Sequence, residues 1–377
     1  MKQKIAFLYL NTGGGHVAPA RALASRIAER YAEDSETVLF NGFDRSMVLS
    51  RFVFEEGYKI TSNYFEPGYV LFYQLTSLSH NIRTGNYFVS LKGLPRLVRF
   101  LREEGITKVV CLHEVLIIMA RRAIDRVNPA IRLITLVTDP FTAHPLWFYE
   151  KNLDLVVFSE KLRKEAIERH GFPPERLHVF PFILNTLYDT RYDGGQILAA
   201  RRKLGIPDGK KVILVAGGGE GLRGAERIVR HFVKLRRDEI LAVVCGRNRL
   251  LRRQTRHIVE RSGAKNVMVF GFVDFMADLL NIADAVITKG GASTVLEVLA
   301  TGKPIIFSTY IRGQELGNVL YAVYNGVGWY IKKPRDILEK AFTLTEDDAL
   351  RGRLRDKIDS LGIRNGLEDM TSFIHER

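Results

Sequence analysis

One unit recurs along this chain and constrains its fold more than any other feature. A short run of Val, Ile, Leu and Phe is followed by a glycine-rich or polar cluster, and then by a stretch with amphipathic spacing. In the first half the runs are Ile5–Leu10, Thr37–Phe40, Lys108–Leu112, Arg132–Val137, Asp154–Phe158 and His178–Phe180. In the second half they are Lys211–Ala216, Leu241–Cys245, Val267–Phe270, Ala285–Thr288 and Pro304–Phe307. Apolar runs this short, alternating with helical patterns, predict parallel strands in βα units whose two faces are both covered. The chain is therefore expected to be α/β, with two Rossmann-like, doubly wound domains facing an interdomain cleft. Its 377 residues suffice for two cores. The expected division is residues 1–190 and residues 191–377, with the last helix packing back on the first domain. The segment TRYDGGQ, residues 190–196, reads as the linker.

Composition narrows the function classes. No stretch approaches the roughly 20 apolar residues of a spanning helix, and the opening MKQKIAFLYLN leads straight into a glycine loop, as a buried first strand does. The two cysteines, Cys111 and Cys245, both lie in apolar runs. They offer neither a disulfide framework nor zinc-ligand spacing, and suit a reducing cytoplasm. Lys and Arg outnumber Asp and Glu by 56 to 42, an excess that implies an anionic partner such as a membrane surface or a phosphorylated substrate. No zinc-finger, homeodomain or RNA-recognition signature points to nucleic acid.

Ligands of an open parallel sheet bind beyond the carboxyl ends of its strands. In the first half those ends carry Thr12-Gly13-Gly14-Gly15-His16, Asn41, His113-Glu114, Thr138-Asp139 and Ser159. They gather titratable groups on one rim. His16, at a helix start, either caps that helix or contacts a ligand, and imidazole suits proton abstraction. Asp139 either caps a turn stiffened by Pro140 and Pro145, or takes a proton from a bound hydroxyl or orients His16. His144 and Trp147 follow it in a short loop.

The rim of the second half is glycine-rich instead, with Gly217-Gly218-Gly219, Gly246-Arg247, Gly271-Phe272 and Lys289-Gly290-Gly291. There the backbone can approach a phosphate and helix-start amides can hold it. The most specific stretch is ITKGGASTVLEVLATGKPIIF. In it Ser293 and Thr294 open a helix and Glu297 is expected in the first turn, where a carboxylate can take both ribose hydroxyls. Gln314, Glu315 and Asn318 in the following loop are the side-chain types that hexose hydroxyls require.

Residues 43–101 interrupt the βα rhythm. Phe52, Phe54, Tyr58, Tyr64, Phe65, Tyr69, Phe72, Tyr73, Tyr87 and Phe88 mix with Arg51, Lys59, Arg83, Lys92, Arg96 and Arg99. This mixture suits a lipid headgroup interface, and equally a helical cap over the sheet.

The segments TGGGHVAPARAL, VTDPFTAHPLWF, CGRNRLL, GFVDFMADLLNIADAVITKGG and GQELGN occur in that order. Together they resemble the monogalactosyldiacylglycerol synthases and processive diacylglycerol glucosyltransferases of glycosyltransferase family 28, along nearly the whole chain. The resemblance implies a GT-B fold and inverting, metal-independent transfer of a hexose from UDP-glucose or UDP-galactose to diacylglycerol or a related lipid. No cofactor is implied. The implied setting is the anionic inner face of the cell membrane, held peripherally.

Carried over by position, Gly218 and Gly219 approach the phosphates, and Gly246, Arg247, Phe272 and Val273 border the uracil. Lys289, Gly290, Gly291, Ala292, Ser293 and Thr294 hold the diphosphate, Glu297 the ribose, and Gln314, Glu315 and Asn318 the sugar. His16 and Asp139 form the catalytic pair; Gly14, Gly15, His113, His144 and Trp147 stand on the acceptor side. Two departures, Val17 after the histidine and Glu114 after His113, both fall on the acceptor side. The rival readings are a UDP-sugar 2-epimerase on the same fold, a transferase using a polyprenyl-linked acceptor, and a lipid-binding protein without catalysis.

Overall fold

The computed structural model describes residues 2–11, 14–43, 47–52, 57, 68, 74, 76 and 79–377. They form two units. The first is Met1–Ile183 with Ile311–Gln314 and Asn365–Arg377; the second is Leu184–Tyr310 with Glu315–Arg364.

Unit 1 contains β1 (Gln3–Tyr9), α1 (Gly14–Arg30), β2 (Ser35–Asn41), α2 (Val48–Arg51), α3 (Ser79–Glu103), β3 (Lys108–Cys111) and α4 (Glu114–Val127). It continues with β4 (Arg132–Leu136), β5 (Asp154–Val157), α5 (Glu160–Glu168) and β6 (Leu177–Val179). Its six strands are all parallel in the order β2-β1-β3-β4-β5-β6. The order reverses between β1 and β3, so the loops that leave these two strands diverge to opposite faces and open a crevice.

Unit 2 contains α6 (Gly194–Leu204), β7 (Val212–Ala216), α7 (Ala225–Leu235), β8 (Ile240–Val244), α8 (Arg249–Ser262), β9 (Val267–Phe270) and α9 (Met276–Ile282). It continues with β10 (Ala285–Lys289), α10 (Ala292–Ala300), β11 (Ile305–Thr309), α11 (Leu316–Tyr324), β12 (Gly328–Tyr330), α12 (Pro334–Glu346) and α13 (Asp348–Asp359). Its order, β12-β11-β10-β7-β8-β9, is the doubly wound order of a dinucleotide-binding sheet, with the reversal between β7 and β10. Successive residues of β7 pack into different cores: Val212, Leu214 and Ala216 into one, Ile213 and Val215 into the other. Burial on both faces is why these strands read as unbroken apolar runs.

The last helix, α14 (Leu367–Glu376), belongs to unit 1. Glu368 of α14 pairs with Arg26 at 2.5 Å and Arg30 at 3.1 Å, and His375 stacks on Tyr31 at 3.7 Å. Buried Lys108 donates to the Ile374 and His375 carbonyls, placing a cation at the negative end of the α14 dipole.

Two local expectations differ from the structure. Strand β12 is three residues, Gly-Trp-Tyr, and lacks the apolar run that marks the others. The segment expected as a linker is instead a helix start, because Asp193 and Gln196 form a reciprocal capping box that nucleates α6 at Gly194. Of the aromatic and basic residues between 43 and 101, Phe54, Tyr58, Lys59, Tyr64, Phe65, Tyr69, Phe72 and Tyr73 lie outside the described residues, as do the side chains of Arg83, Tyr87 and Phe88. Phe52 is exposed, and Arg96 lies over the Phe40 ring at 4.3 Å.

Candidate functional site

The reversal point of unit 2 places the loop after β7 beside the start of α10. Gly218 has φ of +74°, a conformation that favours glycine, and a methyl group added there would stand 4.0 Å from the Thr294 hydroxyl. Gly246, at φ +59°, is needed for packing. A Cβ there would collide with the Gly219 carbonyl, which already accepts the Arg247 amide at 2.7 Å.

The N-cap of α10 is Gly291, which has no side chain to cap the helix, and the first intrahelical bond is made by the Val295 amide. The amides of Ala292, Ser293 and Thr294 precede that bond, which makes this helix start an anion-binding geometry. Lys289 pairs with the buried Glu315, and Asn318 Nδ2 donates to the Gly290 carbonyl at 2.7 Å. Glu315 and Asn318 thus brace the Lys289-Gly290-Gly291 turn from behind.

Phe272 is exposed on the same rim with the Arg247 guanidinium 4.2 Å from its ring centroid, and Val273 packs against the core. Glu297 sits in the second turn of α10, not the first, so interaction with the helix start is not its role. Desolvation pushes its carboxyl up to about 7. Arg252 was not singled out by sequence. Its guanidinium packs against the backbone of Gly271, next to Phe272, and its buried Nε has no hydrogen-bond partner among the described residues.

In unit 1 the reversal between β1 and β3 brings His16 and His113 together, with ring centroids 4.5 Å apart. His16 is buried at the start of α1. Its Nδ1 lies 2.7 Å from the Leu112 carbonyl oxygen and 3.0 Å from the Thr138 hydroxyl. A carbonyl only accepts, so Nδ1 carries the proton and Nε2 keeps its lone pair. Burial lowers the His16 pKa to about 4, with His113 adding to the fall and Glu114 opposing it. This differs from the near-neutral imidazole expected: the histidine is held neutral by desolvation.

His113 caps α4 by accepting the Val115 amide at its Nδ1, 3.3 Å away, and burial lowers its pKa to about 3. Glu114 Oε2 lies 3.2 Å from the same Nδ1, is buried, and has no hydrogen-bond partner among the described residues. The residues that sequence reasoning missed here are Leu112 and Thr138. A backbone carbonyl carries no sequence signal, and Thr138 was noted only as a neighbour of Asp139.

Asp139 itself accepts from Gln314 Nε2 at 3.3 Å, so Gln314 lies with unit 1 and not with the second-half loop residues. His144 caps the short helix Pro145–Phe148 through Nδ1 and meets the Thr76 hydroxyl at Nε2. Trp147 is fully buried in the unit 1 core, which makes it a packing residue and not a surface contact for an acceptor. Gly14 and Gly15 open α1, and a methyl group at Gly15 would meet nothing within 4 Å among the described residues.

Two six-stranded parallel sheets, one with a histidine at its reversal point and the other with an anion-binding helix start, define the GT-B fold. Residues 212–343 match the glycosyltransferase family 28 C-terminal domain, and residues 16–181 match the monogalactosyldiacylglycerol (MGDG) synthase family. The second half is thus similar to glycosyltransferase family 28 and the first half to the MGDG synthases.

It is 28% identical over 360 residues to the chloroplastic monogalactosyldiacylglycerol synthase of Spinacia oleracea, covering 89% of this chain and 65% of that protein. The chain thus spans slightly less than two thirds of the plant relative. It is 24% identical over 378 residues to the processive diacylglycerol beta-glucosyltransferase of Bacillus subtilis, covering 97% of this chain and 93% of that one. Among solved structures, Acinetobacter baumannii MurG superposes with a TM-score of 0.66 at 15% identity, over 100% of both chains. That likeness shows the fold alone.

Proposed function

We propose that this protein transfers a hexose from UDP-glucose or UDP-galactose to the free hydroxyl of diacylglycerol, with inversion at the anomeric carbon. The observation that carries the reading is the tautomer of His16, whose Nδ1–H is held by Leu112 so that Nε2 is left as a proton acceptor. The lipid acceptor is supported by the relatives, which are named for diacylglycerol along both halves of the chain.

In the proposed reaction the acceptor hydroxyl gives its proton to His16 Nε2 as its oxygen bonds to the anomeric carbon. The bond from that carbon to the β-phosphate oxygen breaks, and UDP departs with the electron pair. The amides and hydroxyls of Ser293 and Thr294, with Lys289, hold the departing negative charge, so the transfer proceeds without a metal. Glu297 takes the ribose hydroxyls. Gln314, Glu315 and Asn318 stand as hexose contacts, with Glu315 and Asn318 also bracing the phosphate turn.

The protein acts at an anionic membrane surface as a peripheral protein; no helix among the described residues is long and apolar enough to cross a membrane. The test is UDP release from either UDP-hexose with and without diacylglycerol in mixed micelles, in the presence of EDTA. Release that requires the lipid and survives EDTA supports the reading. Epimerised nucleotide sugar formed without lipid would replace it with an epimerase.

A further inference from the structure

The charge excess of this chain is concentrated. Residues 223–262 hold twelve Lys and Arg against four Asp and Glu, so about a tenth of the sequence carries more than half of its +14. The aromatic-rich residues 43–101, expected as the membrane face, hold only seven against four.

The basic segment folds into α7, β8 and α8, and the two helices expose their charges to solvent. Exposed on α7 are Arg227, Arg230, His231 and Lys234; on α8 they are Arg249, Arg253, Arg256 and Arg261. Arg249, Arg253 and Arg256 fall at helical spacings of four and three and form one stripe. Elsewhere exposed Arg30, Arg169 and Arg335 each have a carboxylate nearby. The arginines of α8 have no ion pair among the described residues, although Glu260, four residues after Arg256, lines the same groove. An unpaired cationic row self-repels, so its favourable partner is external and anionic.

Apolar exposure says which anionic partner fits. Leu250, beside Arg249 and on the same groove, is 62% exposed, and Leu235 at the end of α7 is 51% exposed. Phosphates of a nucleic acid backbone offer nothing to a leucine. A lipid headgroup layer offers both, with phosphate at the surface and acyl carbon just below.

We propose that the α7–α8 face of unit 2 docks on an anionic lipid surface. Arg249, Arg253 and Arg256 contact headgroup phosphates, and Leu250 enters the interfacial layer. The proposed lipid-acceptor reading gives this docking its purpose, but the charge and exposure that argue for it do not depend on that reading. Because α8 starts two residues after Arg247, docking would also hold the proposed nucleotide rim of unit 2 close to the lipid.

The test is co-sedimentation with vesicles of phosphatidylcholine alone or with phosphatidylglycerol, with no diacylglycerol and no UDP-sugar, so that its outcome is independent of transferase activity. Each basic residue at such a surface is worth about a fivefold factor in partition. The double variant R253Q/R256Q should bind phosphatidylglycerol vesicles about 25-fold less well, with a weaker dependence on salt and an unchanged stabilisation by UDP. Leu250→Ser should weaken vesicle binding and leave binding to a DNA duplex unchanged. The control R163Q/K164Q, on α5 of unit 1, should lose little.

Loss in the control equal to that in R253Q/R256Q would overturn the assignment of this face. Tighter binding to the duplex than to the vesicles, lost with R253Q/R256Q, would hand the face to nucleic acid.

Discussion

The Nδ1 of His16 and the carbonyl oxygen of Leu112 are 2.7 Å apart, and this one contact decides which ring nitrogen can act as a base. The two residues are 96 positions apart and meet because β1 and β3 are neighbours in the sheet. The bond leaves Nε2 unprotonated, and burial keeps the ring neutral down to about pH 4. His16→Ala should therefore lower kcat by a factor on the order of 100 or more, with UDP affinity intact. In the parent, kcat should stay level through pH 6–7 and fall only as the pH approaches the lowered pKa. A parent profile that breaks near 6.5 would show a solvated histidine.

Asp139 is the competing base. It is engaged with Gln314, while the Nδ1 of His16 is held by Leu112 and Thr138. Asp139→Asn should reduce turnover less than His16→Ala does, measured as kcat at saturating donor and acceptor. The opposite ranking would make Asp139 the base.

The same burial has a consequence for stability. His16 and His113 have folded pKa values near 4 and 3, below the ordinary 6.5, so the unfolded chain binds more protons than the folded one across that interval. Stability is full above the unfolded value and is lost as pH falls through 6.5 toward 4, at about 1.4 kcal/mol per unit of displacement for each histidine. The urea midpoint should fall between pH 7.5 and 5. His113→Asn keeps a cap for α4 and removes one titrating group, so its midpoint should fall less over the same interval.

Glu297 shifts the other way. In the proposed donor site its carboxyl, pushed up to about 7 by desolvation, must ionise to accept ribose hydroxyls well. UDP affinity, measured by calorimetry, should weaken below pH 7 in the parent by more than in Glu297→Gln, which binds weakly throughout. Since its folded pKa is raised, stability is lost as pH rises from the ordinary 4.5 through about 7, so Glu297→Gln should also be more stable than the parent at pH 8. Equal UDP affinity in Glu297→Ala and the parent would remove Glu297 from the donor site.

Gly15 separates a packing role from a ligand role. No described residue comes within 4 Å of its Cβ position, and its backbone needs no glycine-specific conformation. Gly15→Ala should leave the fold intact, with thermal stability equal or raised by about 0.5–1 kcal/mol. It should lower kcat/KM for the acceptor if a ligand approaches the start of α1. Unchanged kinetics would return Gly15 to a helix start without function.

Much of this fold was legible because parallel strands buried on two faces leave long apolar runs, and eleven of the twelve described strands left one. Strand β12 left none, being Gly-Trp-Tyr at a sheet edge. The capping box at Asp193 was written in the sequence as an Asp followed three residues later by Gln, but paired glycines drew the reading toward a linker. The glycine turns of unit 2 were readable because a positive φ, as at Gly218 and Gly246, depends on residue type. The burial of Trp147 and the bond from His16 to Leu112 were not, since both depend on which segments become neighbours in space.

The most direct test of the central claim is the anomeric configuration of the product. Purified protein would be incubated with diacylglycerol and the α-linked UDP-hexose, and the lipid fraction analysed by proton NMR. The account predicts a β-linked hexosyl diacylglycerol from the parent and at most a trace from His16→Ala. An α-linked glycolipid would contradict single-step inversion by a histidine base, and free hexose or epimerised nucleotide sugar with no glycolipid would contradict transfer to diacylglycerol altogether.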